Sequence, residues 1–200
     1  MAVAFDAVSY EEAEAATSIS KSHTGTGSSL VGWVILGFTQ NVSEVSATYG
    51  GQAMTLVAAV APGYWLHCFY IDGALSGAQT VAASWTTSAN CQMGIMTYSG
   101  AVANAAAKAS ATGTSTTPTV NVSSAAGEVV VDGVIGGGTV TVGADQTQRY
   151  NRVVHMISAG SEEAGAGTVT MSWTQESSWW GIVAMPLQPA VAESGFFSFF

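Results

Sequence analysis

The amino-acid sequence predicts an all-β protein, and three observations support this fold class. The chain of 200 residues contains 23 Val and 21 Thr but only 6 Leu. Val and Thr branch at Cβ and fit the pleated surface of a sheet, whereas Leu is more typical of helices. Strand-like segments recur about every 8 to 14 residues, with Gly-, Ser- and Pro-containing turns between them. We therefore predict a single β-sandwich with jelly-roll-like connections and about 11 to 14 strands.

The first predicted strands differ in how far they are buried. Ala2–Val8 and Thr17–His23 alternate in character, which is typical of half-buried strands. The acidic segment Glu11–Ala16 between them is predicted to be a loop. Leu30–Phe38 is apolar almost throughout, which predicts a central strand covered on both faces. The sandwich should be built around that strand.

The hairpin at Tyr49–Gln52 is the strongest turn signal, because two adjacent glycines adopt positive φ freely. Ala101–Ala111 is alanine-rich but lacks an apolar stripe, so we expect a loop with at most a short turn. The remaining predicted strands are Glu44–Tyr49, Ala53–Ala61, Tyr64–Ile71, Gln79–Trp85, Cys91–Tyr98, Thr119–Ser123, Glu128–Ile135, Thr139–Val142, Arg149–Ser158, Thr168–Trp173 and Trp179–Leu187.

The chain shows neither a linker nor an internal repeat of fixed period. We therefore assign residues 1–189 to one β-sandwich domain. Residues 190–200 form a different segment, a small-residue spacer followed by a Phe-rich end.

Charge composition excludes several classes of function. Only 8% of residues are charged, and the formal net charge is −9. The four basic residues are too few and too scattered for a nucleic-acid-binding face. No apolar stretch is long enough to insert into a membrane. The segment after Met1 lacks the basic and apolar regions of a signal peptide, which predicts synthesis in the cytoplasm.

Catalytic and metal-binding patterns are weak. His23, His67 and His155 lie on separate predicted strands, so a shared metal site is not expected. Glu162, Glu163 and Glu176 are predicted to be solvated loop acids rather than paired catalytic carboxylates. We therefore predict a protein that is not an enzyme and that has no metal or cofactor.

The two cysteines, Cys68 and Cys91, lie in strand-like segments. We expect buried free thiols, because a protein made in a reducing cytoplasm rarely forms structural disulfides. A single disulfide between them is the alternative.

Two adjacent tryptophans, Trp179 and Trp180, begin the last predicted strand. Successive side chains of a strand point to opposite faces, so one indole should face the core and the other outwards. An outward Trp could stack on a sugar ring or on a partner surface, and both are therefore candidate ligand-stacking residues. The alternative is that neighbouring loops or subunits cover both of them.

Several segments resemble a family of β-sandwich proteins of similar length found in tailed-phage genomes and in secreted bacterial proteins. They are Ala2–Val8, Thr17–Thr24, Tyr49–Leu56, Ser124–Asp132 and Gly165–Trp173. The resemblance extends over nearly the whole chain to Pro189 and implies no catalytic residues. It implies a structural or adhesive role in a virion.

The C-terminal segment contains Phe196, Phe197, Phe199 and Phe200, beyond the last predicted strand. Soluble monomers rarely expose so much apolar surface, so we expect these residues to bind a partner. We predict a structural protein of a bacteriophage particle, either a head decoration or a component of the tail or a fibre. It would be located in the virion and would bind itself or other virion proteins.

Two alternative functions remain open at this point. One is a carbohydrate-binding module or cell-surface adhesin that recognises host-surface carbohydrate. The other is a self-assembling extracellular filament subunit, in which a terminal strand completes the sheet of a neighbour. Both alternatives imply an extracellular location.

Overall fold

The computed structural model describes residues 1–191, and this part of the chain consists mainly of antiparallel β-strands. A single 3₁₀ turn, Ala105–Ala107, interrupts them, and no helix in this range has the length and apolarity to cross a membrane. The strands are β1 (Ala4–Gly25), β2 (Leu30–Phe38), β3 (Ser46–Tyr49), β4 (Gln52–Ala53), β5 (Thr55–Val60), β6 (Trp65–Ala74), β7 (Gly77–Ser99), β8 (Ala101–Ala103), β9 (Ala109–Ser115), β10 (Thr119–Ser123), β11 (Val129–Gly136), β12 (Thr141–Val142), β13 (Thr147–Val153), β14 (Ile157–Ala164), β15 (Thr168–Thr174) and β16 (Ser178–Pro189).

The predicted all-β sandwich class is confirmed, with 16 strands rather than the smaller number expected. Part of the difference lies in Ala101–Ala111, which was expected to be a loop. This segment contains β8, the 3₁₀ turn and the start of β9, and both strands pair with β16. Backbone hydrogen bonds to a neighbouring strand do not require an apolar stripe, so the alanines could join a sheet.

The prediction of a loop at Glu11–Ala16 is wrong, because β1 runs through it as one long strand. β7 likewise joins the two predicted strands Gln79–Trp85 and Cys91–Tyr98. β1 and β7 pair with each other along their whole length, with register shifts between Ala13 and Ser18. Ala15 has a positive φ of 44° there, as expected for a bulge that bends the pair.

The bend folds the first half of the chain, residues 1–99, into two layers. The first part of β1 and the last part of β7 belong to an inner sheet with β2, β6 and β5. Beyond the bend, the same two strands continue into an outer layer with β3 and β4. The Tyr49–Gln52 turn joins β3 to β4, and both of its glycines have positive φ, as predicted.

The second half repeats this arrangement strand by strand. β11 lies between β14 and β16, as β2 lies between β6 and β7. β13 borders β14 as β5 borders β6, and β8 and β9 border β16 as β1 borders β7. The three-stranded outer sheet of β10, β15 and β12 corresponds to the outer layer of the first half. The molecule therefore consists of two structurally equivalent halves.

The sequence carries traces of this duplication. The pattern Gly-Ala-x-Thr-Val-x-x-Ser-Trp-Thr occurs at Gly77–Thr86 and again at Gly165–Thr174. The pattern Val-x-x-Val-Ile ends at Ile35 and again at Ile135. The stretch between the two patterns is longer in the first half, so a search for a fixed period does not detect the repeat.

The two halves pack through their inner sheets, which gives four layers and three apolar cores. One core lies inside each half, and a third, which we call the junction core, lies between the halves. All nine residues of β2 are buried because both of its faces are covered, as predicted for Leu30–Phe38. The largest contributors to the junction core are Trp33, Ile35, Leu66, Met96, Tyr98, Ile135, Tyr150, Met156, Met185 and Leu187.

Equivalent strands of the two halves run in the same direction, so the approximate twofold axis lies along the strands. This relation places β1 beside β13 on one side and β9 beside β5 on the other. Arg152 pairs with Glu12 across the first side at 2.7 Å, and the guanidinium of Arg149 lies 4.0 Å from the centre of the Phe5 ring. Lys108 Nζ donates to the Val57 carbonyl across the second side at 2.6 Å. Basic side chains therefore fasten both sides.

Gly94 and its equivalent Gly181 allow the inner sheets to approach each other. A Cβ at Gly94 would lie 2.7 Å from the Tyr150 ring, and one at Gly181 would lie 2.8 Å from Val60. Each glycine thus lies against the edge strand of the opposite half. Both positions need a residue without a side chain for the same geometric reason.

The two cysteines are free, as predicted. Cys68 belongs to the junction core and Cys91 to the core of the first half. These cores lie on opposite faces of one inner sheet, so the thiols point away from each other.

We expect Gly94→Ala to lower the free energy of unfolding by about 1 to 3 kcal/mol, because the added methyl group must displace the Tyr150 ring. Gly167→Ala is the matched control, since a Cβ there meets nothing within 4 Å. That change should stay within about 0.5 kcal/mol of the wild type. Urea unfolding followed by tryptophan fluorescence measures both. Equal stability of the two variants would contradict the close approach at the junction.

Candidate functional site

The two tryptophans at the start of β16 point to opposite faces, as the strand geometry predicted. Trp180 is only 7% exposed, and its indole nitrogen donates to Ser115 Oγ at 2.9 Å inside the core of the second half. A buried indole offers no open face to a ligand, so Trp180 is a core residue. Trp179 is half-buried at the surface and meets Tyr64 edge to face, with ring centres 5.0 Å apart. Its stacking role stays a prediction.

Trp179 lines an open groove with a volume of about 410 Å³. The other lining residues are Tyr64, Gly136, Gly137 and residues 153–157. We call this feature the junction groove, because its walls come from both halves of the molecule. Its volume falls within the range of pockets that bind compact ligands.

Two glycines hold the Trp179 indole in place. A Cβ at Gly63 would lie 2.6 Å from the ring, and one at Gly137 would lie 2.9 Å from its nitrogen. The backbone therefore approaches the indole at both positions, and Tyr64 packs against it as well. Trp179 is a rigid wall of the groove because packing restricts its rotamers.

The opposite wall is the β13–β14 connection, and Gln92 fastens it to the first half. Gln92 is fully buried on β7. With its amide oriented to match its neighbours, its nitrogen donates to the Met156 carbonyl at 3.3 Å, and its oxygen accepts from the backbone N–H groups of Val154 and His155. A buried amide with three partners fixes this loop as firmly as packing fixes Trp179.

The groove arises where the two equivalent halves differ. The β5–β6 connection of the first half, which contains Gly63, packs on Trp179 of the second half. The equivalent β13–β14 connection packs on Gln92, which occupies in β7 the position that Trp179 occupies in β16. The β13–β14 connection is therefore held to the first half by hydrogen bonds, whereas the β5–β6 connection is held to the second half by an aromatic contact. The groove lies between them.

The lining of the groove combines apolar side chains with polar backbone atoms. Val153 is 59% exposed and Val154 is 52% exposed. His155 is the one titratable residue other than Tyr64 in the lining, and its Nε2 lies 3.4 Å from Glu14 Oε1. The groove thus has an aromatic wall and an aliphatic wall, and polar atoms contribute about as much of its surface as apolar atoms do.

The other candidate polar residues do not converge. His23 is buried between Ser9 Oγ and Thr97 Oγ1, at 2.8 and 3.0 Å, and His67 is buried beside Phe38. Glu162 pairs with Arg149 at 2.6 Å. Within residues 1–191, no three His, Cys, Asp or Glu side chains come together as a metal site.

Asp132 is the most unusual titratable residue, and it lies in the core of the second half rather than in the groove. It is fully buried, and burial raises its pKa to about 7. Its carboxylate accepts hydrogen bonds from the backbone N–H and the hydroxyl of Ser161, and from the Trp173 indole at 2.7 Å. These bonds oppose the rise in pKa but do not outweigh the loss of hydration. Asp132 is a structural fastener of β11, β14 and β15.

Burial acts in the opposite direction on the core histidines. It lowers the pKa of His67 to about 4, and it also lowers the pKa of His23, where the charge of Asp6 opposes the effect. Both imidazoles are therefore neutral in the folded protein at neutral pH.

The four phenylalanines of the predicted interaction segment, Phe196, Phe197, Phe199 and Phe200, lie outside the described residues. The described chain ends at Val191, beside the first residues. The N-terminal amine donates to the Ala190 carbonyl at 3.2 Å. A second cavity of about 490 Å³ lies here, lined by Met1, Asp72, Ala101, Val102 and Val191 among others.

Sequence inspection identified Trp179 but missed the rest of the groove. Tyr64 and residues 153–157 were assigned to ordinary strands, and Gln92 was not singled out. The glycines at 63, 136 and 137 were the available signal, because glycine within a strand pattern indicates a close approach by other groups.

Comparison of the chain with known protein families, with curated proteins and with solved structures gives no match.

We expect the stability of the protein relative to Asp132→Asn to fall as pH rises. The raised pKa of Asp132 means that the folded state keeps its proton longer than the unfolded state does. The stability that this raised pKa contributes is fully present below about pH 4 and is lost as pH rises through about 7. The total loss is about 4 kcal/mol in the free energy of unfolding. The Asn variant lacks this titration, so any lost hydrogen bond adds only a constant offset. Urea unfolding between pH 4 and pH 8 measures the difference.

His67→Phe provides the opposite control. The lowered pKa of His67 makes the folded protein lose stability as pH falls from about 6.5 towards 4. The Phe variant should therefore resist acid better than the wild type. If Asp132→Asn and the wild type have the same pH dependence of stability, Asp132 is already ionised in the folded state at low pH and the prediction is wrong.

Proposed function

We propose that this protein is a non-enzymatic structural protein of a bacteriophage particle, a head decoration or a component of the tail or a fibre. It assembles through its β-sandwich body and its Phe-rich C-terminal segment. The observation that carries the proposal is the separation of two features along one rigid strand.

These two features lie at opposite ends of β16. Trp179, at the start of the strand, lines the junction groove, whereas Pro189, at its end, precedes the segment that bears the phenylalanines. At about 3.3 Å per residue, the two ends are about 33 Å apart. A body that carries an attachment segment at one end and a groove at the other suits a protein that links neighbouring components of a particle.

The distribution of titratable groups supports a role without catalysis. The groups with the most displaced pKa values are enclosed in the cores: Asp132, His67, Tyr98, Tyr150 and the two cysteines. An active site needs such groups where a substrate can reach them. Here their environment serves packing and hydrogen bonding.

The surfaces of the two outer layers also fit a structural protein. Their exposed side chains are mainly hydroxyl-bearing: Ser18, Ser20, Ser22, Thr80 and Ser84 in the first half, and Thr119, Ser123, Thr168, Thr170 and Thr174 in the second. The basic residues Lys108, Arg149 and Arg152 are engaged in contacts that fasten the sides. These surfaces therefore supply no basic face for nucleic acid.

The proposal predicts that the protein co-purifies with phage particles from its source. Mass spectrometry of gradient-purified particles should find it in a fixed ratio to the major capsid protein. Electron microscopy with a specific antibody should label one part of the particle, either the head surface or the tail. Absence from the particles, or labelling of the bacterial surface instead, would contradict the proposal.

A panel of hydrolase substrates tests the non-enzymatic part separately. We expect no turnover by the purified protein. Turnover that is abolished by a single substitution of a Ser, His or Glu would overturn this part, even if the protein were found in particles.

A further inference from the structure

The junction groove exposes apolar side chains that a binding partner would bury. Val153 and Val154 are more than half exposed, and Trp179 and Tyr64 stand opposite them as an aromatic wall. Contiguous aromatic and aliphatic surface of this kind is typical of interaction sites. The side chains of both walls can pack against phenyl rings.

The Phe-rich segment has the matching chemistry. Gly195–Phe200 carries four phenylalanines and no charge. Phenyl rings pack edge to face with Trp and Tyr, and each such pair contributes beyond the area that it buries.

Chain length decides which copy of the protein supplies this segment. Residues 192–200, fully extended from Val191, span about 30 Å. Trp179, in the groove of the same molecule, lies twelve residues before Val191, about 40 Å back along the chain. Phe196 and Phe197 reach at most about half of that distance and Phe200 about three quarters of it, so the segment cannot place its phenyl rings in its own groove. A second copy placed end to end meets no such limit.

We propose that the Phe-rich segment of one copy inserts into the junction groove of the next copy, so that the molecules associate head to tail. The proposal rests on the assembly role given above to this segment, and it names the site that receives it. Such a contact joins two different surfaces, so it does not close on itself as a symmetric dimer does. Repetition produces an open chain of molecules, or a ring where the rotation between copies closes.

The cavity beside Val191 is the competing site, because the segment could fold back into it. That cavity is lined by Asp72 and Ser29, by the small residues Gly73, Ala101 and Ala190, and by the apolar side chains of Met1, Val102 and Val191. It offers no aromatic ring and places a carboxylate beside the phenyl groups, whereas the junction groove offers two rings.

Two variants test the two sides of the contact, the segment and the groove, one at a time. One lacks Gly195–Phe200 and keeps every residue of the three cores described above. The other, Val154→Asp, places a charge in the groove at a side chain that is already half exposed, so the fold should tolerate it. Val8→Asp is the matched control, because Val8 is 41% exposed on β1, away from the groove.

Sedimentation velocity over a range of concentrations reports the association. The wild type and Val8→Asp should form a concentration-dependent ladder of oligomers, and both test variants should be monomeric. A mixture of the two test variants should form only a dimer, because one supplies an intact groove and the other an intact segment. A ladder from either test variant alone, or no dimer in the mixture, would overturn the proposal.

A binding measurement distinguishes the proposed contact from the two alternatives, the segment in its own cavity and a carbohydrate in the groove. Val191–Phe200 fused to an inert carrier protein should quench the tryptophan fluorescence of the truncated protein on titration, and Val154→Asp should weaken binding by about tenfold or more. A truncated protein with a lowered melting temperature would place the segment in its own cavity. Binding to a glycan array that Val154→Asp abolishes would make the groove a carbohydrate site. Either result would overturn the proposal, whereas neither bears on whether the protein is found in phage particles.

Discussion

The junction core between the two inner sheets is the constraint on which the rest of the structure depends. It covers the second face of β2 and of β11, which would otherwise expose a row of large apolar side chains. The close approach of the sheets requires glycine at positions 94 and 181, where edge strands of the opposite half press against the backbone. The same packing brings the β5–β6 and β13–β14 connections together at one end. Without the junction core, nothing would hold the two walls of the groove next to each other.

The groove shows how a duplicated fold acquires an asymmetric site. Equivalent positions in the two halves carry Gln92 and Trp179, which solve the same packing problem with different chemistry. The amide satisfies the backbone of one loop, and the indole packs beneath the other. A perfectly symmetric pair would have closed both junctions in the same way. The difference leaves an aromatic wall facing an aliphatic one.

Charge is scarce in this protein, and most of it serves local structure. Glu11, Glu12 and Glu14 follow one another closely on β1, and they meet Lys21, Arg152 and His155 respectively. These pairs are partly exposed and each contributes at most about 1 kcal/mol, so they set the geometry of the sides rather than the stability of the fold. Asp132 is different, because its burial ties part of the stability to pH.

The sequence by itself determined the fold class, the central position of Leu30–Phe38 and the Tyr49–Gln52 hairpin. These features depend on local properties: branched side chains, uninterrupted apolar segments and glycine conformation. Even the opposite orientation of Trp179 and Trp180 follows from the period of a strand. Each of these inferences needs only residues that are close in sequence.

Only the tertiary structure decided which segments became strands against their local character, and where the groove lies. Glu11–Ala16 is part of β1 because its backbone pairs with β7, which is far away in sequence. The partial burial of Trp179 depends on the β5–β6 connection that reaches it from the other half, whereas Trp180 is buried by β9 within its own half. The duplication escaped detection because the segments between equivalent strands differ in length, whereas strand pairing preserves the equivalence. Contacts between distant residues set these features, and no local pattern encodes them.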